Sequence, residues 1–421
     1  MKNCFKNIEK NCIPQLGYRV FDFNFAKNWA SIQPTKLAFK DELHSLTFGE
    51  LDLLVRKSAR LFENYGIEKG QTVNVVLPSY LGISSALALN LIGVTSLTHS
   101  RVRRTNLPIQ IDWHIGLEFD FDLPKNRSII FNEQLLEIIK SIQELEWAKG
   151  FTSPNDFVRI FSTSGTTGDL KFIGLTVNKF EDEIRLPTSW EIHGKGNTLS
   201  LFSLSSKQTF RQAMKLLSTG KTLYHSSFTD FRLAKFLQSC PIGTIMGSPA
   251  QIRSLIQLLM QTGTKPKDLE VIIMGGSVPP PQLVKVIREF LNCKIFNVYG
   301  STELGNVGFI DLTNNDFGSF TINEEVELEI VDENDVELPV NTAGIIRYRK
   351  GIIKNSYIGA FDSNEFFKYG YFYPGDLGLL DANNRLTLTG RVNDLINIEG
   401  VKINPDKLDK LISQNLGILD C

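Results

Sequence analysis

The stretch STSGTTGDLK, Ser162 to Lys171, combines glycine-freed backbone N–H groups, a row of hydroxyls and a single cation. A polyphosphate needs such a set: many donors at close range and one positive charge that can follow the phosphates. The spacing is not that of a Walker A loop, because Lys171 follows Gly168 by three residues and no Ser or Thr comes next. The other reading is a flexible hairpin turn, since strand-like NDFVRI precedes the stretch and FIGLTV follows it. These residues alone do not choose between the two.

A second stretch, NVYGSTELGNVG from Asn297 to Gly308, sets an aromatic ring, a glycine turn, two hydroxyls and a carboxylate after an apolar strand. Tyr299 suits stacking on a base, and Glu303 suits holding Mg²⁺ near phosphates. The plainer readings are a core ring and a carboxylate at a helix N-terminus. GYFYPGDLG then supplies Asp376 in a turn, and LTGRVNDLINIEG supplies Arg391 and Asp394. A carboxylate beside a guanidinium suits a ribose diol; singly, each reads as a surface ion pair.

Such turns need a frame to aim them. QTVNVVLP is a short β-branched strand ended by proline, and LGISSALALNLIGVTSL after it reads as a small-residue helix packed on a sheet. A second unit runs GKTLYHSSF, DFRLAKFLQSC and PIGTIMGSP. The helix after it has Ser248 as N-cap, Pro249 at the first position, and Ile252, Leu255, Ile256 and Leu259 on one face. LEVIIMGGSVPPPQLVKVIREFLNCKIFNVYG adds strand, glycine turn, helix and strand, with Leu283, Ile287, Phe290 and Leu291 as the buried stripe. Alternating strands and helices predict an α/β fold with a largely parallel sheet covered on both faces, its ligands at the carboxyl ends of strands. From about Glu324 short strands take over, with DENDVE and DANNR as hairpin turns.

The totals agree with small-molecule chemistry. The 421 residues exceed one simple core, and a formal net charge of -1 gives no global pull towards nucleic acid or anionic lipid. Five scattered cysteines form no CxxC and suit a reducing compartment, with Cys240 and Cys293 read as core thiols. The N-terminus MKNCFKNIEKNC has no apolar signal core, and Ser84, Ser85 and Asn90 interrupt the one long apolar run. A cytoplasmic protein without a membrane span is expected.

In order and spacing, STSGTTGDLK, GGSVPP, NVYGSTE, YFYPGD and TGRVNDLINIEGVKI resemble the adenylate-forming superfamily, which comprises acyl- and aryl-CoA ligases, peptide-synthetase adenylation domains and luciferases. The resemblance runs from about Leu46 to the C-terminus. It implies ATP-dependent attack of a carboxylate on the α-phosphate, giving acyl-adenylate and pyrophosphate, then transfer to the thiol of CoA or of a carrier-protein pantetheine. Carried over by motif, Thr163, Ser164, Gly165, Thr166, Thr167, Gly168 and Lys171 would grip the β- and γ-phosphates. Gly275, Gly276 and Ser277 would border adenine and the acyl pocket, with Tyr299 against the base. Thr302 would sit by the α-phosphate, Glu303 would ligate Mg²⁺, and Asp376 and Arg391 would hold the ribose hydroxyls. Asp394 would be the hinge. The implied domains are an adenylating unit over residues 1–393 (two α/β subdomains and a β-rich one at about 318–393) and a stub of an α+β C-terminal domain over 394–421.

The chain departs from the family pattern in three places. The loop reads Leu170, Lys171, Phe172 where proline, lysine and glycine are usual, so it loses stiffness and gains bulk from Phe172. LSLFSLSSKQTF has Ser203 where acyl- and aryl-CoA ligases carry a histidine, and it lacks the aspartate of amino-acid activators. Lys207 and Arg211 are read there as a solvated helix face rather than partners of a second substrate carboxylate, and Phe202, Phe210 and Met214 as the wall of an apolar pocket for an aryl or short acyl acid. After Asp394 only a hairpin and one helix are readable, with Leu408, Leu411 and Ile412 as its stripe, and the family's C-terminal catalytic lysine has no counterpart. A trimmed chain, a partner chain supplying the missing part, or a naturally short protein, either slow at adenylation or retired to a nucleotide- or acyl-binding scaffold, would each account for that.

Overall fold

The structure is a computed structural model, and it describes residues 23–99, 109–119, 123–146, 150–164, 170–185, 193–226, 228–314, 318–351, 357–358, 365–392, 396–398 and 401–403. Helix α1 (Phe25–Ile32), the antiparallel strands β1 (Leu37–Lys40) and β2 (Ser45–Thr47), and helix α2 (Phe48–Tyr65) open the described chain. Then come β3 (Thr72–Val76), α3 (Ser79–Leu91), β4 (Thr95–Leu97), β5 (Trp113–Gly116), β6 (Ser128–Ile130), α4 (Glu133–Ser141), β7 (Phe157–Ser164) and β8 (Leu170–Thr176). Strands β3 to β8 make a six-stranded sheet in the order β6-β5-β3-β4-β7-β8. Its pairs are parallel except the last, the β7–β8 hairpin.

Helix α5 (Val177–Arg185) leads into β9 (Asn197–Ser200), α6 (Lys207–Ser218), β10 (Leu223–His225), α7 (Phe231–Ser239), β11 (Ile242–Gly247), α8 (Pro249–Thr262), β12 (Val271–Gly275), α9 (Pro281–Phe290) and β13 (Lys294–Ser301). Strands β1, β10, β9, β11, β12 and β13 pair in parallel. From β14 (Gly305–Asp311) through β15 (Phe320–Ile322), β16 (Glu327–Val331), β17 (Gly344–Arg349), β18 (Phe367–Lys368), β19 (Tyr371–Phe372), β20 (Asp376–Leu380) and β21 (Arg385–Arg391) the pairing is antiparallel, and all join the same larger sheet. A separate hairpin, β22 (Ile396–Ile398) and β23 (Val401–Ile403), lies beyond.

Local chemistry explains the element ends. Ser248 accepts the Gln251 N–H at 3.2 Å and the Gln251 side chain returns the bond at 2.9 Å, a capping box that starts α8 with Pro249 at its first position. Ile252, Leu255, Ile256 and Leu259 are buried as their spacing predicts. In α3 residues 83–91 are buried all round, because the helix lies between α2 and the six-stranded sheet. The α9 stripe differs from expectation: Val284 is buried beside Leu283 and Ile287, while Phe290 is only half-buried.

DENDVE and DANNR are tight turns of one design. Asp332 and Asp381 each accept two backbone N–H groups from the residues that follow, and Asp335 and Asn384 take left-handed φ values of 62° and 57°. Short polar side chains tolerate that conformation. Cys240 is a buried core thiol, whereas Cys293 is half-buried with its thiol pushed up to about 12 by desolvation. No helix among the described residues is long and apolar enough to cross a membrane.

Candidate functional site

The β7–β8 hairpin brings Thr163 opposite Lys171 and Ser164 opposite Leu170. Gly165, Thr166, Thr167 and Gly168 lie outside the described residues, as does Asp394. Lys171 is 3% exposed, and its Nζ lies 3.3 Å from the centroid of the Phe366 ring and 5.4 Å from that of Tyr357. Phe172, expected to add bulk beside the loop, is buried. Neighbours on a strand face opposite ways, and Phe172 packs into a core cluster with Leu97 and Ile160.

Thr302 and Glu303 sit in the β13–β14 turn, closed by Gly300 and Gly305. A Cβ on Gly300 would lie 2.3 Å from the Gly305 carbonyl, so only glycine allows the two strands to approach. Glu303 is a buried hairpin carboxylate, not one at a helix N-terminus, and it accepts the Tyr357 hydroxyl on Oε1 at 2.8 Å. Burial and the Glu303 charge push the Tyr357 phenol upward, so it remains a donor.

Two lysines hold this turn from below. Lys207, the first residue of α6, donates to the Thr302 carbonyl at 3.0 Å and pairs with Glu183 at 2.8 Å. Lys179 on α5 donates to the Glu303 carbonyl at 3.3 Å. Desolvation, reinforced by Lys207, draws Lys179 down to about 8. Burial alone would raise Glu183, but Lys207 and Arg211 together outweigh it and hold the carboxyl below its usual range. The solvated helix face expected for Lys207 and Arg211 is therefore corrected. Lys207 is buried, and Arg211 donates Nε to the Glu183 carbonyl at 2.8 Å.

Asp376 opens β20 and is buried. Tyr299 donates its hydroxyl to Oδ2 at 2.7 Å, and Arg391, its cross-strand partner on β21, pairs Nε with Oδ1 at 3.1 Å. Tyr299, expected to stack on a base, is a core ring between Phe320 and Tyr348. Desolvation leads in pushing its phenol far upward, with the neighbouring Tyr348 and Asp376 adding to it. Tyr348 meets the Tyr299 ring edge-on and lies within the electrostatic reach of both Glu303 and Asp376. Two runs of contacts result: Lys171, Tyr357 and Glu303 form one, and Tyr348, Tyr299, Asp376 and Arg391 form the other, with Tyr299 on the strand that leads into the Glu303 turn.

Two residues before Tyr299 on β13, Asn297 donates Nδ2 to the carbonyls of Met274 and Ser277 at 3.2 and 3.0 Å. That side chain pins the Gly275–Ser277 turn, where Gly276 has φ +91° and Ser277 is exposed. Asn297, Tyr357, Lys179 and Glu183 had no role assigned from sequence. Asn297 stood inside a recognised motif. The other three are brought in only by tertiary packing, which no local spacing announces.

A cavity of about 300 Å³ lies beside α6, between the two sheets. Phe202 and Phe210 line it as expected, but Met214 does not, being fully enclosed in the core. No group of three metal-ligating acids, histidines or cysteines occurs among the described residues. One buried carboxylate, Glu303, suits a cation carried mainly by phosphate oxygens rather than a protein cage.

Glycine turns and buried charges gathered at strand ends of an α/β sheet define a nucleotide-binding enzyme. The chain belongs to the AMP-binding enzyme family, whose profile matches residues 122–358. It is 23% identical over 417 residues to 4-coumarate–CoA ligase 1 of Solanum tuberosum, covering 89% of this chain and 75% of that one. It is 22% identical over 415 residues to 4-chlorobenzoate–CoA ligase of an Arthrobacter species, covering 92% and 79%. The solved O-succinylbenzoate coenzyme A synthetase (MenE) of Bacillus subtilis, in complex with ATP and magnesium ion, superposes with a TM-score of 0.77 at 19% identity, over 94% of this chain and 85% of that one. The resemblance to the adenylate-forming superfamily and the expected α/β fold are borne out.

Proposed function

We propose that this chain activates a small carboxylic acid with ATP as an acyl-adenylate and passes the acyl group to the thiol of CoA or of a carrier-protein pantetheine. The observation that carries the reading is that Lys171 and Glu303 share the Tyr357 side chain, while Tyr299, on the strand that leads into the Glu303 turn, is tied to the Asp376–Arg391 pair. A cation, a carboxylate and an acid–guanidinium pair grouped in this way suit a triphosphate, the α-phosphate and a ribose diol in turn.

In this reading the acid's carboxylate oxygen attacks the α-phosphorus, and the bond to the β-phosphate oxygen breaks with its electron pair leaving on pyrophosphate. Thr163, Ser164, Gly165, Thr166, Thr167, Gly168 and Lys171 hold the leaving phosphates. Thr302 faces the α-phosphate, Gly275, Gly276 and Ser277 border the adenine, and Asp376 with Arg391 takes the ribose hydroxyls. Mg²⁺ held by Glu303 would neutralise charge building on the phosphates. The barrier is charge accumulation, so positioned donors do most of the work. Residues up to 393 form the adenylating unit in this scheme.

Acid-dependent ATP–pyrophosphate exchange tests the reading. Exchange with a carboxylic acid, abolished by Lys171→Ala and by Glu303→Ala in folded protein, supports it; retained exchange in both removes these roles. ATP binding without exchange would favour a nucleotide-binding scaffold. One observation speaks for that second reading: Lys171 and Glu303 already rest on Phe366 and Tyr357.

A further inference from the structure

The cavity beside α6 contains a charge that the adenylation chemistry does not use. Arg159 projects from β7 and is 4% exposed. Its Nη1 donates to Ser96 Oγ at 3.1 Å and its Nη2 to Thr98 Oγ1 at 2.7 Å. The guanidinium lies 4.7 Å from the ring centroid of Phe210 and 5.6 Å from that of Phe161. Nε has no hydrogen-bond partner.

Both bonds end on neutral hydroxyls, and no carboxylate among the described residues offsets the charge: burial alone draws the group down to about 10. Two acids touch the cavity wall away from Arg159: Asp41 is occupied by the Ser79 hydroxyl and the Leu43 and His44 N–H groups, and Glu42 accepts the Ser226 hydroxyl on Oε1. His225, also on the cavity wall, is pushed down to about 4 by burial and is neutral near pH 7. A buried arginine without an anion costs more than contacts with two aromatic rings return. An arginine has five donors, and protein atoms use two of these.

The rest of the lining suits a small hydrocarbon body. Thr98, Ser203 and Ser226 give the polar side, and Ile83, Ala86 and Phe202 the apolar one. We propose that this cavity binds a carboxylate-bearing small molecule, its anionic group on Arg159 and Thr98 and its body against Ile83, Phe202 and Phe210. Two sources share that chemistry. One is a second carboxylate on the acid being activated, which rests on the adenylation reading; Lys207 at the Thr302 carbonyl and Phe210 under Arg159 lie one turn apart on α6. The other is a separate organic acid that binds without being activated.

Calorimetry on the full chain without ATP decides the cavity, using benzoate against benzamide and hexanoate against hexanamide. Each anion is expected to bind at least ten-fold more tightly than its neutral isostere. Arg159→Met, which keeps the length and removes the charge, should erase that preference while the unfolding midpoint holds or rises. Thr98→Val should weaken anion binding independently. Equal binding of acid and amide, or an anion preference that survives Arg159→Met, overturns the proposal. Pyrophosphate exchange with terephthalate against benzoate separates the sources. A KM raised ten-fold in Arg159→Met for terephthalate alone assigns the site to the substrate. Unchanged KM values with lost calorimetric binding assign it to a separate acid. Absence of exchange with every acid removes the adenylation reading only, since the calorimetric contrast still decides the cavity.

Discussion

Tyr357 donates its hydroxyl to Glu303 at 2.8 Å while its ring lies 5.4 Å from the Lys171 ammonium. One phenol thus orients the carboxylate proposed for the metal and flanks the cation proposed for the leaving phosphates. Tyr357→Phe keeps the ring and leaves a buried carboxylate oxygen short of a partner, a loss of about 1–3 kcal/mol. The expected result is a lower urea midpoint and at least a ten-fold fall in exchange rate, with ATP affinity reduced less. An exchange rate equal to wild type would show that this bond does not orient Glu303.

Asp376 ties Tyr299 to Arg391. Asp376→Asn retains an acceptor for the Tyr299 hydroxyl but removes the charge facing Arg391. Its KM for ATP is expected to rise about ten-fold, equivalent to about 1.4 kcal/mol, with kcat changed less. Exchange kinetics at varied ATP would measure this, and an unaltered KM would withdraw the ribose assignment.

Lys179 lies beside Lys207 beneath the Glu303 carbonyl and has its pKa drawn from 10.5 to about 8. The unfolded chain therefore binds more protons than the folded one between these values, and stability rises with pH across that window. The cost of the charge is fully present below pH 8 and relieved towards pH 10.5, by at most about 3 kcal/mol. Denaturant titrations from pH 7.5 to 10.5 should show the rise in wild type and a flatter profile in Lys179→Met. Parallel profiles would rule out Lys179 as the source.

His225 behaves with the same sign at lower pH. Its pKa falls from 6.5 to about 4 because of burial, opposed only by Asp41. Stability contributed by the neutral ring is complete above pH 6.5 and lost as pH drops towards 4, again by at most about 3 kcal/mol. Relative to wild type, His225→Gln should lose less stability over that interval in urea melts; an identical loss would exclude the imidazole.

Much of the frame was legible because its signals are local. The caps of α8, its buried stripe and the two aspartate turns follow from residue type and spacing within a few positions. The glycine and hydroxyl motifs pointed to the β7–β8 and β13–β14 turns, where a nucleotide is proposed to bind. Other features escaped because nothing near them in the chain gives them away. Lys207 read as solvated until Glu183, Thr302 and the fold around α5 and α6 enclosed it. Tyr299 was open to two readings, a stacking ring or a core ring, because Phe320 and Tyr348, which cover it, are brought in only by the later strands. Arg159 lay inside an apolar strand whose two faces cannot be told apart without the neighbouring sheet.

Lys207 begins the helix that walls the cavity and also grips the carbonyl of Thr302. Any acid that displaces the loop ahead of this helix therefore drags on the turn where bond making is proposed to occur. On the proposed function, selectivity and turnover are geared to one lever, and redesigning the pocket for a bulkier acid should detune the reaction unless the Lys207 anchor is kept in register.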